Sequence, residues 1–130
     1  MMSDGLLDTS VLIGWETGRV DPTVLPDRAA ISTMTIAELH LGVLSAREPD
    51  ERARRLETLV VVEQAYDPIP VSTAVARRFA ELVAALREQD RRAPVIDALI
   101  AATALAHGLV LYTQDADFLP FPGLQHILIA

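Results

Sequence analysis

The 130 residues carry a formal charge of −7, are 51% hydrophobic and include no cysteine, which excludes thiol catalysis, disulfide staples and thiolate metal sites together. All 11 basic residues are arginine, so a lysine Schiff base and a P-loop phosphate lysine are excluded as well. The acidic balance argues against a simple electrostatic nucleic-acid binder but leaves open a nucleic-acid enzyme whose carboxylates are neutralised by bound metal.

The length suits a single domain over residues 1–130, large enough to bury a core without staples. Met1 to Leu7 offers neither a basic start nor a long apolar region, so a cytoplasmic protein is expected. No apolar stretch reaches the roughly 18 residues that would suggest a membrane span.

In chain order, Gly5 to Asp8 reads as a short buried strand, followed by a helix through Trp15 that Gly18 and Pro22 bring to an end. Ala29 to Thr33 is a second strand. Thr35 then opens a helix through Ser45, with Thr35 and Glu38 at capping-box spacing. Asp50 to Ala65 is helical with an arginine-bearing side, and the two prolines within Tyr66 to Val71 suggest a short edge strand. Val75, Phe79, Leu82, Val83 and Leu86 recur at helical spacing, which predicts an amphipathic helix reaching Gln89. Arg91 and Arg92 fall in the connection that follows. Pro94 and Gly108 suit the start and end of the next helix. Leu109 to Tyr112 is a strand, Thr113 to Phe118 a polar turn and Gln125 to Ile129 a closing strand. The alternation predicts an α/β protein with a mostly parallel sheet.

Four carboxylates fall at strand ends or in first helical turns. Asp8 stands at the carboxyl end of the first strand, where ligand crevices of open α/β sheets lie, although helix capping is an equally open reading. Glu38 either closes the capping box on Thr35 or faces inward from a largely apolar helix. Asp97 is the sole charge inside a helix of Val, Ile, Leu and Ala, with Ile100, Ala101 and Ala104 one turn onward. Burying an unpaired charge there costs several kcal/mol, and the favourable field of a helix N-terminus, worth about 0.3 to 1 kcal/mol, does not offset it. Asp115 follows a strand in T-x-D-x-D-F, which on its own is an ordinary turn. A parallel sheet would bring these four to one rim, where their repulsion calls for raised pKa values or a hard cation, Mg²⁺ or Mn²⁺.

The segments Leu7-Asp8-Thr9-Ser10-Val11-Leu12-Ile13, Thr35-Ile36-Ala37-Glu38-Leu39 with Gly42, Asp97 to Ala104, and Leu111-Tyr112-Thr113-Gln114-Asp115-Ala116-Asp117-Phe118 together resemble PIN-domain ribonucleases, and among them the VapC-type toxins of bacterial toxin-antitoxin pairs. The resemblance implies an α/β/α sandwich with a mostly parallel central sheet. It implies a metal-binding, catalytic quartet of Asp8, Glu38, Asp97 and Asp115, with Asp117 as an accessory metal carboxylate. Where many relatives carry Asn this chain has Asp115, which leaves the division of labour between Asp115 and Asp117 open. Thr9, Ser10 and Thr113 would orient ligands or the attacking water. The implied reaction is Mg²⁺- or Mn²⁺-assisted hydrolysis of RNA phosphodiesters.

Further expectations concern partners. Arg91 and Arg92 are candidates for substrate RNA binding, with a solvated loop as the alternative. The resemblance implies a homodimer and a VapB-type antitoxin whose segment lies over the early helices and whose arginine enters the acidic pocket. For most of Trp15, Leu41, Val43 and Leu44, core packing is the expected role. His40, His107 and His126 lack ligand spacing and read as structural. Two other readings stand beside the toxin: a PIN ribonuclease of RNA processing without an antitoxin, and a catalytically silent PIN-like module that binds a protein.

Overall fold

The computed structural model describes residues 4–116 and 121–129. These form the strands β1 (Gly5–Leu7), β2 (Ala29–Ala30), β3 (Val110–Thr113) and β4 (His126–Leu128). The helices are α1 (Thr9–Glu16), α2 (Thr33–Ser45), α3 (Pro49–Ala65), α4 (Thr73–Glu88) and α5 (Val95–His107). The strands make one sheet in the order β2-β1-β3-β4, and every pairing is parallel. Leu6 lies opposite Ala30 on one side and Leu111 on the other, which places the apolar β1 at the centre.

Alternation along the strands sorts the helices into two layers, as a two-residue period requires. Leu6, Ala30 and Leu111 turn to one face and pack with Val75, Leu82 and Leu86 of α4 and with Ile100, Ala101 and Ala104 of α5. Leu7, Ile31 and Tyr112 turn to the other face, toward Val11 and Leu12 of α1, Leu39 and Val43 of α2, and Leu59 and Val62 of α3. The result is the expected α/β/α sandwich. Among the described residues, no helix is long and apolar enough to cross a membrane.

Three expectations change. The second strand stops at Ala30, because Ile31 and Ser32 turn to bridge Ile69 instead. The edge strand expected over Tyr66 to Val71 is reduced to that single bridge. Pro68 and Pro70 flank Ile69 and have no N–H to extend a ladder. Finally, α2 begins earlier than the capping-box reading requires: Ser32 is its N-cap and accepts the Met34 N–H at 3.0 Å, so Thr35 and Glu38 are not a capping pair. α5 ends as expected, with Gly108 at φ 64° closing the helix in the left-handed conformation that glycine adopts without a Cβ clash.

Candidate active site

The strand order reverses between β1 and β3, since the chain passes from β1 to β2 on one side and returns to β3 on the other. That switch point is where open α/β sheets form ligand crevices, beyond the carboxyl ends of the strands. Asp8 follows β1 there, and Thr113 ends β3 beside it.

Asp8 is only 4% exposed. It occupies the N-cap position of α1, where its side chain makes no full capping hydrogen bond although the Thr9 and Ser10 N–H groups favour its charged form. Its Oδ2 instead accepts the Ser10 hydroxyl at 2.7 Å and the Thr113 hydroxyl at 2.9 Å. Those hydroxyls accept in turn from the backbone, Ser10 Oγ from the Gln114 N–H and Thr113 Oγ1 from the Asp115 N–H, each at 2.9 Å. Each hydroxyl therefore donates its one O–H to Asp8 and accepts a main-chain N–H from the turn after β3. The arrangement fixes the carboxylate and the turn against each other.

Glu38 reaches the same rim from the second turn of α2. The Thr9 hydroxyl donates to its Oε1 at 2.5 Å and lies 3.1 Å from Thr35 Oγ1. Thr35 is thus a member of the site that the capping-box spacing disguised. The signal for it was Ser32, a better N-cap lying just before the apolar run.

Burial pushes the Asp8 carboxyl up from its ordinary range, and the Ser10 and Thr113 hydroxyls only partly oppose this. Glu38 is also pushed up, first by burial and further by the negative charges of Asp8 and Asp115, against the pull of Thr9. Three carboxylates far apart in sequence therefore share one electrostatic field.

Asp115, half-buried, lies in the turn after β3. Asp97 stands in the first turn of α5 and is half-buried, less enclosed than its apolar sequence surroundings suggest. Asp117 lies outside the described residues. Among the described residues, no group of three or more acidic or histidine side chains closes to ligating distance. The donor chemistry nevertheless fits a hard ion: Mg²⁺ commonly takes one or two carboxylates and keeps several waters, and a cation would relieve the proton affinity that burial raises at Asp8 and Glu38.

Arg91 and Arg92 are exposed between α4 and α5, where with Arg87 and Phe79 they line a cleft of about 690 Å³ that includes none of the four carboxylates. Trp15, Leu41 and Leu44 correct the core-packing expectation, being 44%, 61% and 65% exposed; only Val43 of that set is buried. His107 lies in the last turn of α5, where its positive form would complement the helix C-terminus. A second cleft adjoins Asp115 and is lined by Arg19 and Gln114, neither of which the motifs had singled out.

Residues 5–123 match the PIN domain family. The chain is 43% identical over 129 residues to Ribonuclease VapC4 of Mycobacterium tuberculosis, covering 95% of each. It is 51% identical over 102 residues to Ribonuclease VapC8 of the same species, covering 77% of this chain and 89% of the relative. The fold superposes, at a TM-score of 0.87 and 40% identity, on the crystal structure of VapBC-5 from M. tuberculosis, a member of the VapBC family of toxin-antitoxin systems, covering 97% of this chain and 98% of that one. With the acidic rim at the sheet's switch point, these matches establish that the chain belongs to the PIN-domain family, among the VapC ribonucleases.

Proposed function

We propose that the protein is a divalent-metal-dependent RNA endonuclease serving as the toxin of a toxin-antitoxin pair, and that residues 1–130 act as one nuclease domain in the cytoplasm. The observation that carries the proposal is the shared field of Asp8, Glu38 and Asp115, held by hydroxyls from α1 and β3. Asp8, Glu38, Asp97 and Asp115 would hold Mg²⁺ or Mn²⁺, with Asp117 as a further carboxylate. When bound, such an ion supplies Lewis acidity to water and to the attacked phosphate. Ser10 and Thr113 keep Asp8 aimed as an acceptor, and Thr9 keeps Glu38 on the same rim. Arg91 and Arg92, at the entry to the Asp97 helix, attract the RNA backbone to a chain that is acidic overall.

The partnered reading is favoured over a lone processing enzyme by Trp15, Leu41 and Leu44, which lie exposed on α1 and α2. They suit an apolar segment of a VapB-type antitoxin, and VapBC-5 is a member of a toxin-antitoxin family. The resemblance also carries the homodimer. Incubation of total RNA should give discrete fragments with Mg²⁺ and intact RNA with EDTA. Asp97→Asn should slow cleavage at least about 100-fold, in line with losses on removal of a charge-stabilising group. Equal cleavage in all three samples would assign the activity to a contaminant and defeat the proposal.

A further inference from the structure

Gly14 sits inside α1, where glycine is disfavoured. A Cβ at this position would meet Gln114 Oε1 and Val20 Cγ2, each at 2.5 Å, and Gln114 Cδ at 3.1 Å. The bare backbone is what lets the Gln114 amide lie on the helix. The main chain of Gln114 is also tied down, its N–H donating to Ser10 Oγ at 2.9 Å.

Gln114 lines a cleft of about 660 Å³ together with Ser10, Ile13, Arg19, Asp115 and Ile129. The volume is within the roughly 300–1,000 Å³ usual for small-ligand sites. Ser10 and Asp115 belong to the acidic rim as well, so the cleft opens directly from it. Arg19 is anchored at the end of α1: its backbone N–H donates to Gly14 O at 2.7 Å and its Nε to Thr17 Oγ1 at 3.0 Å. Among the described residues, none of the ion pairs engages its guanidinium. Ile13 adds an apolar surface that is 40% exposed.

We infer that this cleft is a nucleotide subsite beside the point of cleavage, where Arg19 pairs with a backbone phosphate next to the scissile one and Gln114 hydrogen-bonds the edge of a base resting on Ile13. The inference rests on the ribonuclease reading and deepens it. Guanidinium matches phosphate bidentately. A primary amide both donates and accepts, so it distinguishes base edges in unpaired RNA. Positioning is already supplied, since the same Ser10 hydroxyl binds the Gln114 main chain and Asp8.

The test uses the full chain and its Arg19→Gln, Arg19→Lys and Gln114→Ala variants, with thermal midpoints measured to confirm folding. Affinity for a fluorescein-labelled, random-sequence single-stranded RNA is read by anisotropy in EDTA over a salt series, and cut positions in a random RNA pool are mapped with Mg²⁺. Arg19→Gln should weaken binding about tenfold and reduce the salt slope by ~0.7, the value for one phosphate contact on a single strand. Arg19→Lys should retain the slope, and Gln114→Ala should flatten nucleotide preference at one position beside the cut. Cleavage by the unmodified chain with affinity, slope and cut profile unmoved in all variants overturns the subsite and leaves the nuclease standing. RNA binding that depends on Arg19 without any cleavage overturns the nuclease, and with it a subsite beside a point of cleavage, leaving only an RNA-binding cleft. Absence of both binding and cleavage overturns both.

Discussion

The fold imposes a cost on the charged form of Asp8 by burying its carboxyl. Its buried carboxyl, like that of Glu38, binds a proton more readily in the folded chain than in the unfolded one. The folded state therefore holds more protons than the unfolded state as pH rises through the interval between the two pKa values, and stability falls across it. Without metal, these groups favour the fold on the acid side and disfavour it at neutral pH. Asp8→Asn should lower kcat by about 100-fold or more, yet raise the thermal midpoint in EDTA at pH 7 and flatten its dependence on pH; a lower midpoint than the parent's would contradict this. Asp8 was legible in the sequence because it directly follows a short apolar run, and Asp115 because it lies in the polar turn just after another. Thr35 was not, because its role depended on where α2 starts. Gln114 and Arg19 were also hidden, since only folding brings Gly14 under one and Asp115 near the other.

At the level of elements, α5 shows how far local pattern reaches. Pro94 and Gly108 bracket it in the sequence and bracket it in the structure, because one lacks an N–H that the first turn does not need and the other supplies the left-handed closing residue. The helix also serves as the floor under the rim: Ile100 is fully buried between the sheet and α4, one turn beyond Asp97. Ile100→Ala should cost about 2–5 kcal/mol, measured by urea unfolding. A change below about 0.5 kcal/mol would mean that the α4–α5 layer does not pack as described. By contrast, β2 and the Ile69 segment were overestimated from sequence. Their residues favour extended backbone, but pairing depends on a neighbour with N–H groups to offer, and periodicity carries no record of the partner.

For the whole molecule, the parallel order β2-β1-β3-β4 decides where chemistry can occur. The class and the rim could be read from the alternation of strands and helices; the strand order could not, because it is set by which apolar faces meet across distant parts of the chain. A cation that binds the folded rim should stabilise the protein by mass action. Protons compete for the same oxygens. Mn²⁺ should accordingly raise the thermal midpoint by several degrees at pH 7.5 and by much less at pH 5, with Asp8→Asn losing most of the difference. An equal rise at both pH values would place the ion elsewhere. The hydrogen bond from Thr113 to Asp8 spans 105 positions of sequence. During synthesis, a growing polypeptide that already displays Asp8 lacks the element that locks it until β3 has been added. A fragment released before β3 is made, by stalling or proteolysis, therefore has an Asp8 carboxylate without the Thr113 hydroxyl that holds it.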